Sequence, residues 1–127
     1  ATATPRALTA IKALKEAGVL VAAGADNVQD PFNLVGRSDP LETASLLVLA
    51  AHETPEIAYK MVSTDARKAM NLEIADLSPG SLADFIAIDA PSVRGAIADA
   101  PMSRKVFKSG VLISSSMQTT EMSPEGL

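Results

Sequence analysis

An α/β fold is what this sequence predicts, and three observations carry it. Of the 127 residues, 47% are apolar but only 3% are aromatic. The interior must therefore be built from Ala, Leu, Ile and Val, which suits helices packed on strands. A capped amphipathic segment runs directly into the short, wholly apolar stretch Val19-Leu20-Val21-Ala22-Ala23, as a helix followed by a buried strand does. Further on, two strand-like runs flank Ser109-Gly110, a two-residue hairpin signal.

The first helix is bracketed by Thr4 as N-cap, Pro5 at N1 and Gly18 just past its end, the usual start and stop chemistry. Leu8, Ile11 and Leu14 form one stripe, and Arg6, Lys12, Lys15 and Glu16 the opposite face. Residues 19–23 then read as a strand buried on both faces of a parallel sheet. Residues 24–39 form a loop with Gly24, Pro31 and Gly36, far longer than the roughly 2 to 6 residues usual for a βα connection. Long loops at that place tend to be functional.

Asp39, Pro40 and Glu42 make a capping box for the next helix. From 41 to 51 that helix is apolar nearly all round, so it is expected to be buried or to pack on another domain. A helix opening at Thr54-Pro55 should bury Ile57, Met61 and Val62; another, from Thr64, should turn Ala66, Ala69 and Met70 inward. Pro79-Gly80 is a turn, residues 84–89 a strand, and Ser92 the cap of a short helix through Val93 and Ile97. A soft boundary falls near residue 76, dividing residues 1–76 from a β-rich segment at 77–114, with a disordered tail at 115–127. A lone parallel strand needs neighbours on both sides, and the expectation is that they belong to chain outside this sequence.

Composition removes whole classes of function. Net charge is −4 with no run of Lys or Arg, which argues against a nucleic-acid partner. No stretch approaches the roughly 20 apolar residues that span a bilayer, so no membrane partner is expected either. There is no signal-peptide pattern at the start. The chain has no cysteine, which excludes disulfides, thiolate metal sites and the nucleic-acid-editing type of zinc deaminase. That usage is compatible with a cytoplasmic protein. With His52 as the one histidine, and about three N, O or S ligands usual in a catalytic zinc site, any metal site must be carboxylate-dominated or incomplete. His52 itself reads as a helix-end residue beside terminal carbonyls.

The chemically suggestive run is Gly24-Ala25-Asp26-Asn27-Val28-Gln29-Asp30-Pro31-Phe32. Asp26 follows a strand at its carboxyl end, where α/β folds place their working residues. A carboxylate there can bind a metal or move a proton. Equally, Asp26 or Asn27 can simply hydrogen-bond the loop backbone.

This run resembles the end of the catalytic barrel in amidohydrolases of the cytosine deaminase type, where an aspartate stands in a G-x-D-[DN]-V-x-D-P-[FW] context. The likeness continues through Gly36-Arg37-Ser38-Asp39-Pro40-Leu41, through Thr64 to Leu72, through Pro79 to Asp89, and ends at Val106 to Ile113. The resemblance implies the carboxyl-terminal portion of a β/α (TIM-like) barrel at residues 1–76, followed by a small β-sandwich segment. It implies Asp26 as metal ligand and catalytic proton carrier, and Asn27 and Asp30 as substrate-binding positions. For Asp30, loop bracing is an equal alternative. The implied cofactor is a divalent metal, zinc or iron, in the parent enzyme, with none retained by this chain alone because the family's histidines have no counterpart here. The implied partners are the amino-terminal remainder of the barrel or a second copy, and a small-molecule substrate such as cytosine or a related cyclic amidine. Two other readings compete. One is a non-catalytic module that oligomerises through residues 41–51; the other is a metal-free enzyme using Asp26 and Asp30 as a carboxylate pair.

Overall fold

The computed structural model describes residues 8–122. Along them run α1 (Ile11–Glu16), α2 (Pro40–Ala51), α3 (Pro55–Met61), α4 (Thr64–Ala69), β1 (Phe85–Ile88), α5 (Val93–Asp99), β2 (Arg104–Lys108) and β3 (Val111–Ser116). The architecture is α/β: helices α2, α3 and α5 pack on one another, beside an antiparallel sheet of order β1-β2-β3.

Local chemistry accounts for most boundaries. Asp39 accepts the Leu41 N–H at the start of α2, Thr54 accepts from Ile57 at α3, and Ser92 accepts from Gly95 at α5, each satisfying a donor the helix cannot use. At the end of α1, the Gly18 N–H reaches Lys15 O and the Val19 N–H reaches Leu14 O. With Gly18 at φ 77, that is the paired bonding of a Schellman stop. Ser109 and Gly110 both have positive φ, as a two-residue turn between right-twisted strands requires. Phe85 and Phe107 face each other in the β1–β2 register and stack at 4.5 Å.

The core is one cluster. Leu41, Ala44 and Leu47 of α2 meet Ala58 and Met61 of α3, with Ile97 and Ala100 from the α5 region and Ile11 from α1. It therefore runs across the soft boundary at residue 76.

Several expectations need correction. Thr4 and Pro5 lie outside the described residues; residues 8–10 are not helical and Leu8 is 62% exposed, so the described stripe of α1 begins at Ile11. Residues 19–23 have no regular secondary structure and pair with no strand among the described residues, and Val19 and Leu20 are each 48% exposed. Apolar composition favours burial but cannot supply a hydrogen-bonded neighbour; only Val21 and Ala23 pack partly on the core. Helix α2 buries one face, not all of its circumference: Leu46 and Leu49 point outward at 58% and 72% exposure. In α4 no residue is buried, and Met70 is 62% exposed, because the helix covers the edge of the core with Ala66 and Arg67 only half-buried. Strand β3 continues through Ser116, and the Gln118 N–H donates to Ser103 Oγ, so order extends past residue 114.

Candidate functional site

The loop between residues 23 and 39 is anchored at its start, where the Ala23 N–H donates to Met61 O at 3.0 Å. Three residues later the chain reverses. Asp26 has φ 60, and across it the Asn27 N–H donates to Ala25 O at 2.8 Å. An i to i+2 bond over a residue of positive φ is the γ-turn of the rare, strained kind. Such strain in a non-glycine residue is held only where its surroundings over-determine it. The Asp26 side chain is exposed.

Beyond it the loop is braced from within. The Asp30 carboxylate accepts the Asn27 side-chain amide at 2.6 Å and the N–H groups of Phe32 and Asn33 at 2.9 Å each, an Asx-type turn. Asp30 and Asn33 also exchange backbone bonds of 3.3 and 3.2 Å. The Asn33 side chain donates back to Asn27 O at 3.2 Å. Gly36 is buried against this knot: a Cβ there would stand 2.4 Å from Asn33 Nδ2 and 2.7 Å from Asn27 O. Asn27 and Asp30 are thus brought together by a direct bond, with Asp26 immediately beside them in sequence.

At the far end the loop is tied down again. Glu42 reaches back to the Arg37 N–H at 2.7 Å, two residues before the Asp39 N–H that the capping box anticipated. Asp39 caps α2 and takes both prongs of Arg104, at 3.1 and 2.8 Å. Burial raises the pKa of Asp39, but the Arg104 and Leu41 hydrogen bonds and the charges of Arg104 and Arg37 outweigh it, so the carboxyl sits below its ordinary range. A second carboxylate joins distant elements. Asp84 binds Lys108 Nζ at 2.6 Å and the Ser109 N–H at 2.8 Å, with Arg67 at 3.7 Å. The Lys108 hydrogen bond, then that of Ser109, hold its pKa down. Arg67 also donates to Glu73 O, which ties α4 to the chain that follows it.

The residues present do not by themselves fit a metal. Among the described residues there is no group of three His, Cys, Asp or Glu side chains that could hold one. His52 takes a left-handed conformation that closes α2 through its backbone N–H to Leu47 O. A cleft of about 300 Å³ is lined by Ile11, Val21, Gly24, Leu46, Leu47 and Met61, and Asp26 is not among its lining residues. Asn33 and Arg104 went unnoticed in the sequence; an asparagine three residues after Asp30, in Asp-Pro-Phe-Asn, was a usable turn signal, whereas nothing local marks Arg104.

With this geometry in view, comparison with known proteins places the chain. The amidohydrolase family profile matches residues 2–113, and the chain belongs to that family. Its fold and length are consistent with the carboxyl-terminal region of such an enzyme. No curated protein sequence matches it. Among solved structures it is similar to N-isopropylammelide isopropylaminohydrolase from Burkholderia multivorans, with 29% identity and a TM-score of 0.74 over 84% of this chain and 28% of that one. It also shares the fold of 5-methylcytosine deaminase from Klebsiella pneumoniae, seen with 5-fluorocytosine, at 19% identity and a TM-score of 0.74, covering 94% of this chain and 30% of that one. The chain therefore spans less than a third of the length of these structures. Among the described residues no helix is long and apolar enough to cross a membrane.

Proposed function

We propose that this chain is the carboxyl-terminal region of a β/α-barrel amidohydrolase whose whole form hydrolytically deaminates cytosine or a related cyclic amidine in the cytoplasm. Residues 1–76 close the barrel, and 77–114 contribute to a small β-sandwich. The observation that carries this reading is the strained turn at Asp26, inside a family match that spans nearly the whole chain. A γ-turn at an exposed carboxylate that follows an apolar segment is strain a working residue can use, and Gln29 in the same loop shares the positive φ, at 50.

Asp26 acts as proton carrier and as one ligand of a divalent zinc or iron, the remaining ligands coming from the amino-terminal barrel. Asn27 and Asp30 stand at the substrate side. Asp30 also fixes the Asn27 amide, so the two act as a unit. The neighbours' names, N-isopropylammelide isopropylaminohydrolase and 5-methylcytosine deaminase, support an amino or alkylamino substituent as the group removed.

The test joins the chain to an upstream segment bearing the family's histidines and measures ammonia release from cytosine with and without added metal. Asp26→Ala is expected to lower turnover by at least about a hundredfold with the fold intact by circular dichroism. Unchanged turnover in that variant removes Asp26 from the chemistry.

A second reading, an interaction module, is favoured by one observation: Leu46 and Leu49 lie exposed on α2. Leu47, between them on the same helix, is core at 8% exposure.

A further inference from the structure

We infer that Arg104, on the first strand of the hairpin, is a positioning residue for the Asp26 loop, acting through Asp39. The inference rests on the reading of that loop as the chemical end of the molecule.

Arg104 is fully committed. Nη1 and Nη2 meet the two oxygens of Asp39 at 3.1 and 2.8 Å, and Nε donates to Pro101 O. A planar guanidinium held on three donors cannot swing. The two side chains are 17% and 16% exposed, which separates this fork from an exposed ion pair that holds little. Its partner lies 65 residues away in sequence, on the other side of the boundary near residue 76.

Asp39 is where the loop ends and α2 begins. From it, contacts run back without a gap. The Arg37 N–H sits on Glu42, Gly36 is seated against Asn33 and Asn27 O, and Asn33 Nδ2 holds Asn27 O, one residue from Asp26. The other end is pinned by Ala23 on Met61 O. The loop is thus clamped between α3 at its start and the sheet at its finish, and Arg104 is the sheet's hold on it. A contiguous chain of packed and hydrogen-bonded groups is the physical requirement for such an effect. Lysine at 104 keeps the charge but loses the fork.

Hydrogen–deuterium exchange of the full chain, resolved at single amides, tests this without any need for turnover. In Arg104→Met the Asn33 and Gly36 amides are expected to exchange on the order of tenfold faster, and in Arg104→Lys by less. The Ala58 and Ala100 amides of the core should hold their rates. Should the methionine variant fail to fold, Asp39→Asn, which keeps the cap but weakens the fork, reads the same way. Unchanged loop rates in a folded variant overturn the inference, as does an equal acceleration throughout the core. In the enzyme completed by its upstream segment, Arg104→Lys should lower kcat with KM nearly constant; a raised KM with kcat intact overturns it. Absence of turnover in the wild-type assembly sinks the deaminase reading alone, and the exchange rates still decide the role of Arg104.

Discussion

Single residues in the loop divide into those that carry strain and those that hold it. Asp26 sits at φ 60 across a three-residue turn, and Asp30, Asn33 and Gly36 form the knot that keeps it there. Gly36 is the cleanest place to test the knot, since its φ is unexceptional and the constraint is one of space. A Cβ at 2.4 Å from Asn33 Nδ2 must displace the asparagine and break its bond to Asn27 O. Gly36→Ala is therefore expected to cost about 1–3 kcal/mol in urea unfolding and to speed exchange at Asn33. A midpoint equal to wild type would mean that the knot yields without cost. Much of this was legible in advance: Gly24, Asp26, Asn27 and Asp30 marked a built loop. The return contact from Asn33 was not, because a side chain that crosses six residues to a carbonyl leaves no periodic trace. At Asp30 three donors brace the loop, and substrate contact by the same carboxylate is the proposal made above.

At the scale of elements, two carboxylates fasten parts that sequence distance keeps apart. Asp39 joins α2 to β2, and Asp84 joins the entry of β1 to the hairpin turn and to Arg67 of α4. Both have a folded pKa below the ordinary 3.8. The sign follows directly. A depressed carboxylate contributes stability that is present above its unfolded pKa and lost as pH falls through its folded pKa. Urea midpoints should thus stay level between about pH 5 and 7 and fall once pH drops below the ordinary carboxylate range. The double variant Asp39→Asn with Asp84→Asn should start lower and lose less on acidification. An equally steep loss in the double variant would place the acid-labile joints elsewhere. The elements themselves were legible where their chemistry is local: Ser92 caps α5, and Ser109-Gly110 turns the hairpin. The joints were not, for Arg104 and Asp39 show no relation until the chain has folded. The stretch at 19–23 is a different case, since its neighbours were expected outside this sequence. Its apolar run announces what it avoids, water, but pairing is a property of neighbours that composition does not contain.

The whole molecule holds one core that ties residues on both sides of the boundary near 76, and beside it lies apolar surface that the core does not use. Val19 and Leu20 are 48% exposed, Leu46 58% and Leu49 72%, and Leu46 shares with Val21 and Gly24 the wall of one cleft. Surface of that kind drives association with either the rest of a barrel or another copy. The two cases separate at α2, because Leu46 and Leu49 stand on its outer face while Leu41, Ala44 and Leu47 hold the core. Replacing both Leu46 and Leu49 by Glu removes apolar surface without opening a cavity, so the thermal midpoint should move by no more than a few degrees. If a second copy covers α2, native mass spectrometry of wild type shows multiples of the 13.1 kDa chain, and the double variant shows the single chain. If the barrel covers it, wild type and variant give the same mass, while the variant alone fails to combine with the upstream segment and to gain metal-dependent turnover. A variant that both keeps its assembly and regains turnover would exclude α2 from either contact, leaving the apolar stretch at 19–23 as the surface where the molecule is joined.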